Sequence, residues 1–293
     1  MISSRGILWL LRIAWMVLPL VAGPNFADAL NERSTALRTT ASLELWAAWA
    51  LVVVALMIPS ILSLVVIRVI AIGAPIACAG ALINVEHIDA KGGPLGLGVS
   101  LAIAIVALSP QLGEISINAG AYGDERRFML RAPGALFLGP IQIAWLFLVL
   151  GITTGPLVLS DGQWVLGGIA VVVGLAISVL LTRSFYLLCQ RWIVFVPAGV
   201  VLKDHHAVLD PVLFRRSEIE LLHPAPGDSD ALDLTSHSPG LALELRLNDK
   251  IPMMRVMPGR QPAQPGKTAR LLFTPTRPGA VLSTAKERRI KVD

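Results

Sequence analysis

Residues 164–203, WVLGGIAVVVGLAISVLLTRSFYLLCQRWIVFVPAGVVLK, contain two structural patterns in succession. The first part, residues 164–182, is apolar and uncharged throughout, and about 20 such residues form a helix that crosses a bilayer core of ~30 Å. The second part holds two β-rich runs on either side of Pro197-Ala198-Gly199, and Pro and Gly supply the backbone angles of a tight turn. This stretch therefore predicts that a membrane span ends here and that a β-structured domain begins.

The charges divide the chain in the same way. The chain has 293 residues, of which 15% are charged, whereas soluble domains carry about 25%. Residues 1–182 hold nine Lys/Arg and nine Asp/Glu, while residues 183–293 hold sixteen and eleven, so the tail carries the whole net charge of +5. We therefore expect a neutral transmembrane domain at residues 1–182 and a basic soluble domain at residues 190–293.

Hydropathy predicts an α-helical multi-pass bundle of about six spans. The predicted spans are residues 7–21, 45–67, 69–83, 95–112, 135–157 and 164–182. The third span is short, so it and the second span are alternatively one broken unit around Arg68, which would give five spans. Gly139, Gly167, Gly168 and Gly174 are typical of close helix packing.

The placement of Lys and Arg predicts the orientation. The loop YGDERRFMLRAPG, residues 122–134, carries Arg126, Arg127 and Arg131, so we expect it on the cytoplasmic side. Residues 160–163 have neither Lys nor Arg and should lie outside. The basic C-terminal tail should then be cytoplasmic, in a multi-pass protein of the cell (plasma) membrane.

The N-terminal segment has two interpretations. Residues 1–29 resemble a secretory signal, with a basic start, an apolar run and a cleavage-like Ala27-Asp28-Ala29. Arg12 within the apolar run favours a retained helix, from which its side chain can reach the inner face. Both interpretations place residue 30 outside. Residues 84–94, which carry more acidic than basic residues, should also lie outside.

The tail is predicted to be mostly β structure closed by a helix. The predicted strands are residues 191–196, 200–203, 211–222, 232–236, 241–247 and 269–274. Residues 232–236 and 241–247 should form a hairpin around Ser238-Pro239-Gly240. Residues 257–267 should be a mobile loop, and residues 278–289 a closing helix with Pro near its start and basic residues at its end.

Two stretches of the tail carry a resemblance. WIVFVPAGVVLKDHHAVLDPVLFRRSEI, residues 192–219, and LLFTPTRPGAVLSTAKERR, residues 271–289, resemble the small PH-like domains of bacterial membrane proteins. The whole chain is similar to a family of uncharacterised actinobacterial multi-pass membrane proteins, through GDERRF and the RPG sequence before the last helix. The resemblance implies a cytoplasmic PH-like domain and no particular activity.

The tail is electrically polarised. Residues 199–249 carry a net −5 and residues 250–293 a net +8. A basic residue near an anionic leaflet contributes about 1 kcal/mol, so the basic part predicts contacts to anionic lipid or to a protein partner. The alternative is that the acidic half neutralises the basic half within the fold. The candidate contacts are Arg126, Arg127, Arg131, Arg270, Arg277, Lys286, Arg288, Arg289 and Lys291.

Polar groups within the spans suggest a different function. Glu114, Gln142, Thr153 and Thr154 are the candidates that would line a transport path. Residues 203–206, Lys-Asp-His-His, offer metal-ligand types, but adjacent histidines on a strand point to opposite faces. We therefore expect no metal, no cofactor and no catalytic residues.

Together these patterns predict a non-enzymatic membrane adaptor or scaffold. Its basic cytoplasmic tail would dock to the anionic leaflet or to a protein partner, and nothing in the sequence indicates a nucleic-acid partner. The alternative is a small transporter or lipid-handling protein with a regulatory tail. An enzyme of unrecognised type is a further alternative.

Overall fold

A computed structural model describes residues 4–83, 92–257 and 261–293. The chain forms two compact units, each built from two separate stretches. The helical unit comprises Met1–Ser116 and Gln142–Tyr186, and the strand-rich unit comprises Ile117–Ile141 and Leu187–Asp293. The soluble domain predicted at residues 190–293 thus has an additional part, which comes from the loop between two predicted spans. The predicted outer loop at residues 84–94 falls mostly outside the described residues.

The helices of the chain account for the predicted spans. They are α1 Ser4–Asn31, α2 Thr35–Met57, α3 Ile61–Ile83, α4 Gly92–Leu108, α5 Pro110–Asn118, the short α6 Gly134–Phe137, α7 Pro140–Ser160 and α8 Trp164–Leu188. Among the described residues, α1, α2, α3, α7 and α8 are each long and apolar enough to cross a membrane. The pair α4 and α5 is bent by 56° and is a sixth span if it counts as one. The prediction of a helical part that contains several apolar spans is confirmed.

The boundary predicted between the second and third spans is wrong. The chain breaks at Pro59 rather than at Arg68, because a proline disfavours the helical conformation of the residue before it. Ile58 accordingly leaves the helix, with φ −120° and ψ 77°. The Ser60 hydroxyl then accepts a hydrogen bond from the Ser63 N–H at 3.0 Å, as an N-cap does.

Arg68 lies inside α3 and does not mark a break between two spans. Its Nε donates to the carbonyl oxygen of Ala107 at 3.3 Å. Ala107 is next to the last residue of α4, where carbonyl groups lack a partner in their own helix. The arginine therefore stabilises the end of α4 at the bend that precedes α5.

Helix α1 packs as a member of the helical unit. Leu11, Trp15 and Leu18 are buried in it, and Arg12 Nη2 donates to the Leu56 carbonyl in the last turn of α2 at 2.8 Å. Arg12 thus has a hydrogen-bond partner at the end of α2.

Small residues bring α7 and α8 close together. A Cβ atom on Gly174 would lie 1.9 Å from the carbonyl oxygen of Gly151, and a Cβ on Gly167 would lie 2.7 Å from Leu159. The packing role predicted for Gly167 and Gly174 is confirmed. Gly139 and Gly168 have open space at the same position, so that prediction is wrong for these two.

The strand-rich unit contains two sheets and a closing helix. Its strands are β1 Arg126–Met129, β2 Trp192–Val196, β3 Gly199–Lys203, β4 Val212–Arg215, β5 Ile219–Pro224, β6 Leu232–Asp233, β7 Leu243–Arg255 and β8 Gln264–Phe273, and its last helix is α9 Pro278–Glu287. The strand orders are β1-β2-β3-β4 and β5-β7-β8-β6. The prediction of a strand-rich domain that ends in a helix is confirmed.

The first strand comes from the charged loop between the predicted fourth and fifth spans. β1 pairs antiparallel with β2, so that Arg126 faces Phe195 and Met129 faces Trp192. The Asn118 side chain bonds both backbone groups of Arg127, at 2.8 and 2.9 Å, and so covers the outer edge of β1. This loop therefore contributes an edge strand to the domain, in addition to its arginines.

The second predicted hairpin and the predicted mobile loop are wrong in part. β6 pairs in parallel with β8 rather than with β7, because both edges of β7 are already occupied by β5 and β8. Residues 235–238 instead form a turn in which Ser236 and His237 have positive φ. Within residues 257–267, the segment from Gln264 onward belongs to β8.

The two sheets are joined at their edges around one apolar core. Leu130 bridges to Pro275 after β8, and Val208 bridges to Arg255 at the end of β7. The core contains these fully buried side chains: Phe128, Ile193, Phe195, Val200, Leu202, Phe214, Leu222, Leu243, Leu245, Leu271, Phe273, Val281 and Ala285. Helix α9 contributes to this core, so its position is fixed by burial.

Candidate functional site

The C-terminal end of α9 presents an arginine in an unusual conformation. Ile290 N donates to Ala285 O at 2.9 Å and Arg289 N donates to Lys286 O at 3.0 Å, which is the Schellman arrangement. The left-handed position of this motif is usually glycine, but here it is Arg289, with φ 59°. A side chain in this conformation costs about 1 kcal/mol, and the charge of Arg289 is held at the surface.

The nine predicted basic contacts separate into exposed and engaged groups. Exposed cations that make no ion pair with any described residue are Arg126, Lys286, Arg289 and Lys291. Three of them follow one another around the end of α9. Glu287, in the same turn, is the nearest acid in sequence.

Arg288 links α9 to the loop before β1. Its guanidinium donates to the backbone carbonyl of Asp124, and its own carbonyl accepts from Arg216 Nη1 at 3.1 Å. Because Asp124 lies two residues before Arg126, the basic end of α9 lies beside the start of β1. The structure thus brings Arg126, Arg288 and Arg289 to one edge of the domain.

Arg127 is engaged within the domain. Its Nη2 donates to Glu125 at 2.8 Å, and its guanidinium carbon lies 5.3 Å from the ring centre of Trp192. Lys203 Nζ lies 4.8 Å from the same ring. The hydrogen bond from Arg127 lowers the pKa of Glu125 below its ordinary value.

The remaining three predicted contact residues are either paired with an acid or partly buried within the domain. Arg270 pairs with Asp230 at 2.5 Å. Arg277 is half-buried at the start of α9, and Arg131 is half-buried where β1 ends. The expectation that acidic residues of the tail neutralise its basic half thus describes Arg270, whereas Lys286, Arg289 and Lys291 form no ion pair with an acid in the described part of the chain.

A buried ion pair was missed by sequence reasoning. Arg191 donates to both carboxylate oxygens of Asp204 at 2.7 Å and to the Arg131 carbonyl at 2.7 Å. The two side chains are 1% and 0% exposed. Asp204 is therefore not available as a metal ligand beside His206, whose pKa is lowered by burial. A charged residue directly before a strand was the only sequence signal.

A second polar cluster lies on β5 and β7. Glu244 is buried and accepts hydrogen bonds from Ser229 at 2.6 Å and from Arg246 at 2.9 Å. His223 Nε2 lies 3.8 Å from the same carboxylate. Burial alone would raise the pKa of Glu244, but the hydrogen bonds from Ser229 and Arg246 outweigh burial and lower it.

The four polar candidates within the spans have different surroundings. Glu114 is buried in α5 at 4% exposure. On α7, Gln142 and Thr154 are exposed, and the Thr153 hydroxyl donates to Val149 O in its own helix at 3.0 Å. Only Glu114 therefore has the burial expected of a group that lines an internal path. In the described part of the chain, no group of three His, Cys, Asp or Glu residues is arranged to hold a metal ion.

Comparison of the chain with protein-family models, with curated proteins and with solved structures found no match.

Proposed function

We propose that this chain is a non-enzymatic adaptor of the cell membrane whose strand-rich domain docks on the anionic lipid of the same membrane. In this proposal the domain is cytoplasmic and PH-like, and the helices anchor it. The observation that carries the proposal is the edge formed by β1 and α9. There, cations that make no ion pair with a described residue lie beside a strand that follows α5 after a short connection.

Short connections join this edge to the helices. Trp192, the first residue of β2, follows Leu188, the end of α8, by four residues, which is at most about 14 Å of chain. Arg126 follows Asn118, the end of α5, by eight residues. The headgroup layer is about 5–8 Å thick on each side of the hydrocarbon core, so the tethers keep the domain within reach of it.

Exposed apolar side chains lie on the connections to β1. Tyr122, before β1, is 88% exposed and Leu138, after it, is 87% exposed. In a soluble domain such side chains would lie against water, whereas aromatic and apolar side chains are favoured at a membrane interface. Their position supports a lipid surface over a soluble partner.

Charge supplies the specificity of the proposed docking. Each basic residue near an anionic leaflet contributes about 1 kcal/mol, and the attraction decays over a Debye length of about 8 Å at physiological salt. Four exposed cations on a tethered domain are enough, because the tether already supplies a high effective concentration. Docking should therefore depend on anionic lipid and weaken as salt rises.

The test uses the full chain in lipid nanodiscs. A fluorophore is attached to Ser283→Cys, an exposed position one turn before Lys286, with Cys78 and Cys189 replaced by alanine. Energy transfer to headgroup-labelled lipid is measured in neutral and in anionic nanodiscs across a salt series. We expect closer approach in anionic discs, lost at high salt. Equal transfer in both discs at all salt concentrations would contradict docking.

Arg289→Gly is the matched variant for this experiment. Glycine is the preferred residue at the left-handed position, so the fold should keep its stability while the surface loses one cation. We expect weaker docking with an unchanged or slightly higher unfolding temperature. Arg183→Gln, at a basic position outside this edge, is the control and should leave docking unchanged.

One observation favours a second candidate, a small transporter or lipid-handling protein. The α4–α5 bend places Arg68 against the end of α4, and buried Glu114 follows within α5. Interrupted helices with ionisable groups are typical of transport sites. Reconstitution with Glu114→Gln tests it: a substrate or proton flux that this variant abolishes would establish transport, and its absence would leave the bend as a structural feature.

A further inference from the structure

Hydrogen-bonding side-chain atoms without partners are buried where β1 meets the segment after β8. They are Nε of Arg131 and the hydroxyl oxygens of Thr274 and Thr276. A buried polar group without a partner costs about 1–3 kcal/mol, so a ligand whose hydrogen-bond acceptors reached these atoms would stabilise the junction. Thr274 is itself 3% exposed.

The backbone register puts these three side chains on one side of the junction. Leu130 and Pro275 form an antiparallel bridge. Arg131 N donates to Thr274 O, and Thr276 N donates to Met129 O, both at 2.9 Å. Facing residues and residues two apart share a side of a β ladder. Arg131 and both threonines therefore lie together, opposite the side taken by Leu130 and Pro275.

Arg131 is held in place through its backbone. Its carbonyl accepts from Arg191 Nη1 at 2.7 Å and from the Ser238 hydroxyl at 3.2 Å. Its guanidinium takes part in no ion pair with a described residue, and Gly240 packs against it, since a Cβ there would lie 2.8 Å from Nε. The backbone of Arg131 is therefore fixed, and no described acid forms an ion pair with its side chain.

The start of α9 adds further donors close by in sequence. The helix begins at Pro278, two residues after Thr276, and the side chain of its N-cap residue, Arg277, makes no capping hydrogen bond. The first N–H groups of a helix lack partners in their own helix, and the helix dipole places partial positive charge there. The junction thus combines a guanidinium, two hydroxyls and a helix start. This combination suits an anion with several oxygen acceptors, as a phosphate group has.

We propose that the phosphate of an anionic lipid binds at this junction, held by Arg131, Thr274 and Thr276. The lipid source rests on the proposed function, and the short chain connection supports it. Arg191, which bonds the Arg131 carbonyl, lies three residues after the end of α8, at most about 11 Å of chain. Docking through exposed cations requires only a negatively charged surface. The junction would add specific recognition of a single lipid phosphate.

The experiment uses the full chain purified in neutral detergent. The probes are dioctanoyl phosphatidic acid, dioctanoyl phosphatidylcholine and inorganic phosphate, and binding is followed by native mass spectrometry. We expect phosphatidic acid to bind more tightly than the other two. Equal binding of inorganic phosphate would overturn the lipid assignment, and no preference for phosphatidic acid over phosphatidylcholine would overturn the site.

Thr274→Val is the decisive variant, because valine matches threonine in shape and removes the hydroxyl. We expect its affinity for phosphatidic acid to fall about tenfold, since hydrogen bonds to charged groups have roughly that effect. Without lipid its unfolding temperature should be unchanged or higher, because an unpartnered buried hydroxyl is gone. Thr276→Val is the second variant should Thr274→Val fail to fold. Wild-type affinity in the folded variant would overturn the site.

The result can be separated from the docking test. Arg289→Gly should bind phosphatidic acid in detergent as the wild type does, because Arg289 lies at the other end of α9. If Arg289→Gly weakens docking on nanodiscs while Thr274→Val keeps full phosphatidic acid affinity, docking stands and the phosphate site is wrong. The opposite pair of results leaves the phosphate site standing and contradicts docking.

Discussion

The helical unit and the strand-rich unit are stabilised in different ways. In the helical unit many large apolar side chains point outward, with Leu20 at 76% and Ile83 at 84% exposure. In the strand-rich unit, Phe128, Phe195 and Phe214 are fully buried. The first unit carries large apolar side chains on its surface, as helices long and apolar enough to cross a membrane do, and the second buries them in a core.

This difference determines which interactions matter in each unit. Apolar burial stabilises a domain in water, but it gives no net attraction between helices whose surroundings are equally apolar. The helical unit relies on close backbone approach at glycines and on donors such as Arg12 that bond helix-end carbonyls. The strand-rich unit relies on its core and adds one buried ion pair.

Breaking the buried ion pair should have the largest effect. Arg191→Met leaves the Asp204 carboxylate buried and uncompensated, and we expect a loss of about 3–5 kcal/mol from the strand-rich unit. Hydrogen exchange of the β2 and β3 amides in the full chain would report this loss locally. The double variant Arg191→Met, Asp204→Leu should recover most of it. Equal destabilisation of the single and double variants would contradict the assigned role.

Filling the space between α7 and α8 should have the next largest effect, confined to the helical unit. In Gly174→Ala the new methyl group meets the Gly151 carbonyl at 1.9 Å, and forced repacking of this kind costs about 1–3 kcal/mol. The thermal unfolding temperature in detergent should fall. Gly168→Ala is the control, because its Cβ meets open space, and it should be neutral or slightly stabilising. A similar fall in both variants would argue against the glycine contact.

Removing the arginine that bonds the end of α2 should have a moderate effect. Arg12→Met loses the hydrogen bonds to Leu56 O, and we expect about 1 kcal/mol, as for other hydrogen bonds between membrane helices. Detergent unfolding of the full chain would measure it. Arg12→Lys keeps the charge and should lose less. If Arg12→Met is as stable as the wild type, the hydrogen bonds from Arg12 to Leu56 O do not contribute to stability.

Changing the buried carboxylate of Glu244 should have the smallest effect and should depend on pH. Its folded pKa lies below the ordinary 4.5, so it contributes stability above pH 4.5 that is lost as pH falls through the folded value. Glu244→Gln should therefore flatten the decline of stability below about pH 4.5. Asp210→Asn, at an exposed loop position, should leave the decline unchanged. A parallel decline in Glu244→Gln and wild type would contradict the role of this group.

The sequence predicted the elements that depend on local pattern. These elements are the spans, the β2–β3 turn at Pro197 and Gly199, and the final helix. Each of them is determined by the composition and periodicity of its own residues. Orientation, lipid contact and the PH-like resemblance stay predictions.

The elements that the sequence missed depend on distant partners. β1 is four residues long and charged, so it becomes a strand only because β2 offers it an edge. β6 pairs with β8 because both edges of β7 are already paired, with β5 and with β8. Among the site residues, nothing local distinguished exposed Arg289 from Arg270, because the partner of Arg270, Asp230, lies 40 residues earlier in the loop before β6.

The origin of β1 also has a consequence for biosynthesis. Arg131 and its partner Arg191 are 60 residues apart, and chains grow at about 5–20 residues per second. For roughly 3–12 s after β1 is made, its partner β2 does not yet exist. During this time the ribosome synthesises α7 and α8, which lie between β1 and β2 in the sequence. The order of synthesis therefore means that β1 can pair with β2 only after the whole of α7 and α8 has been made.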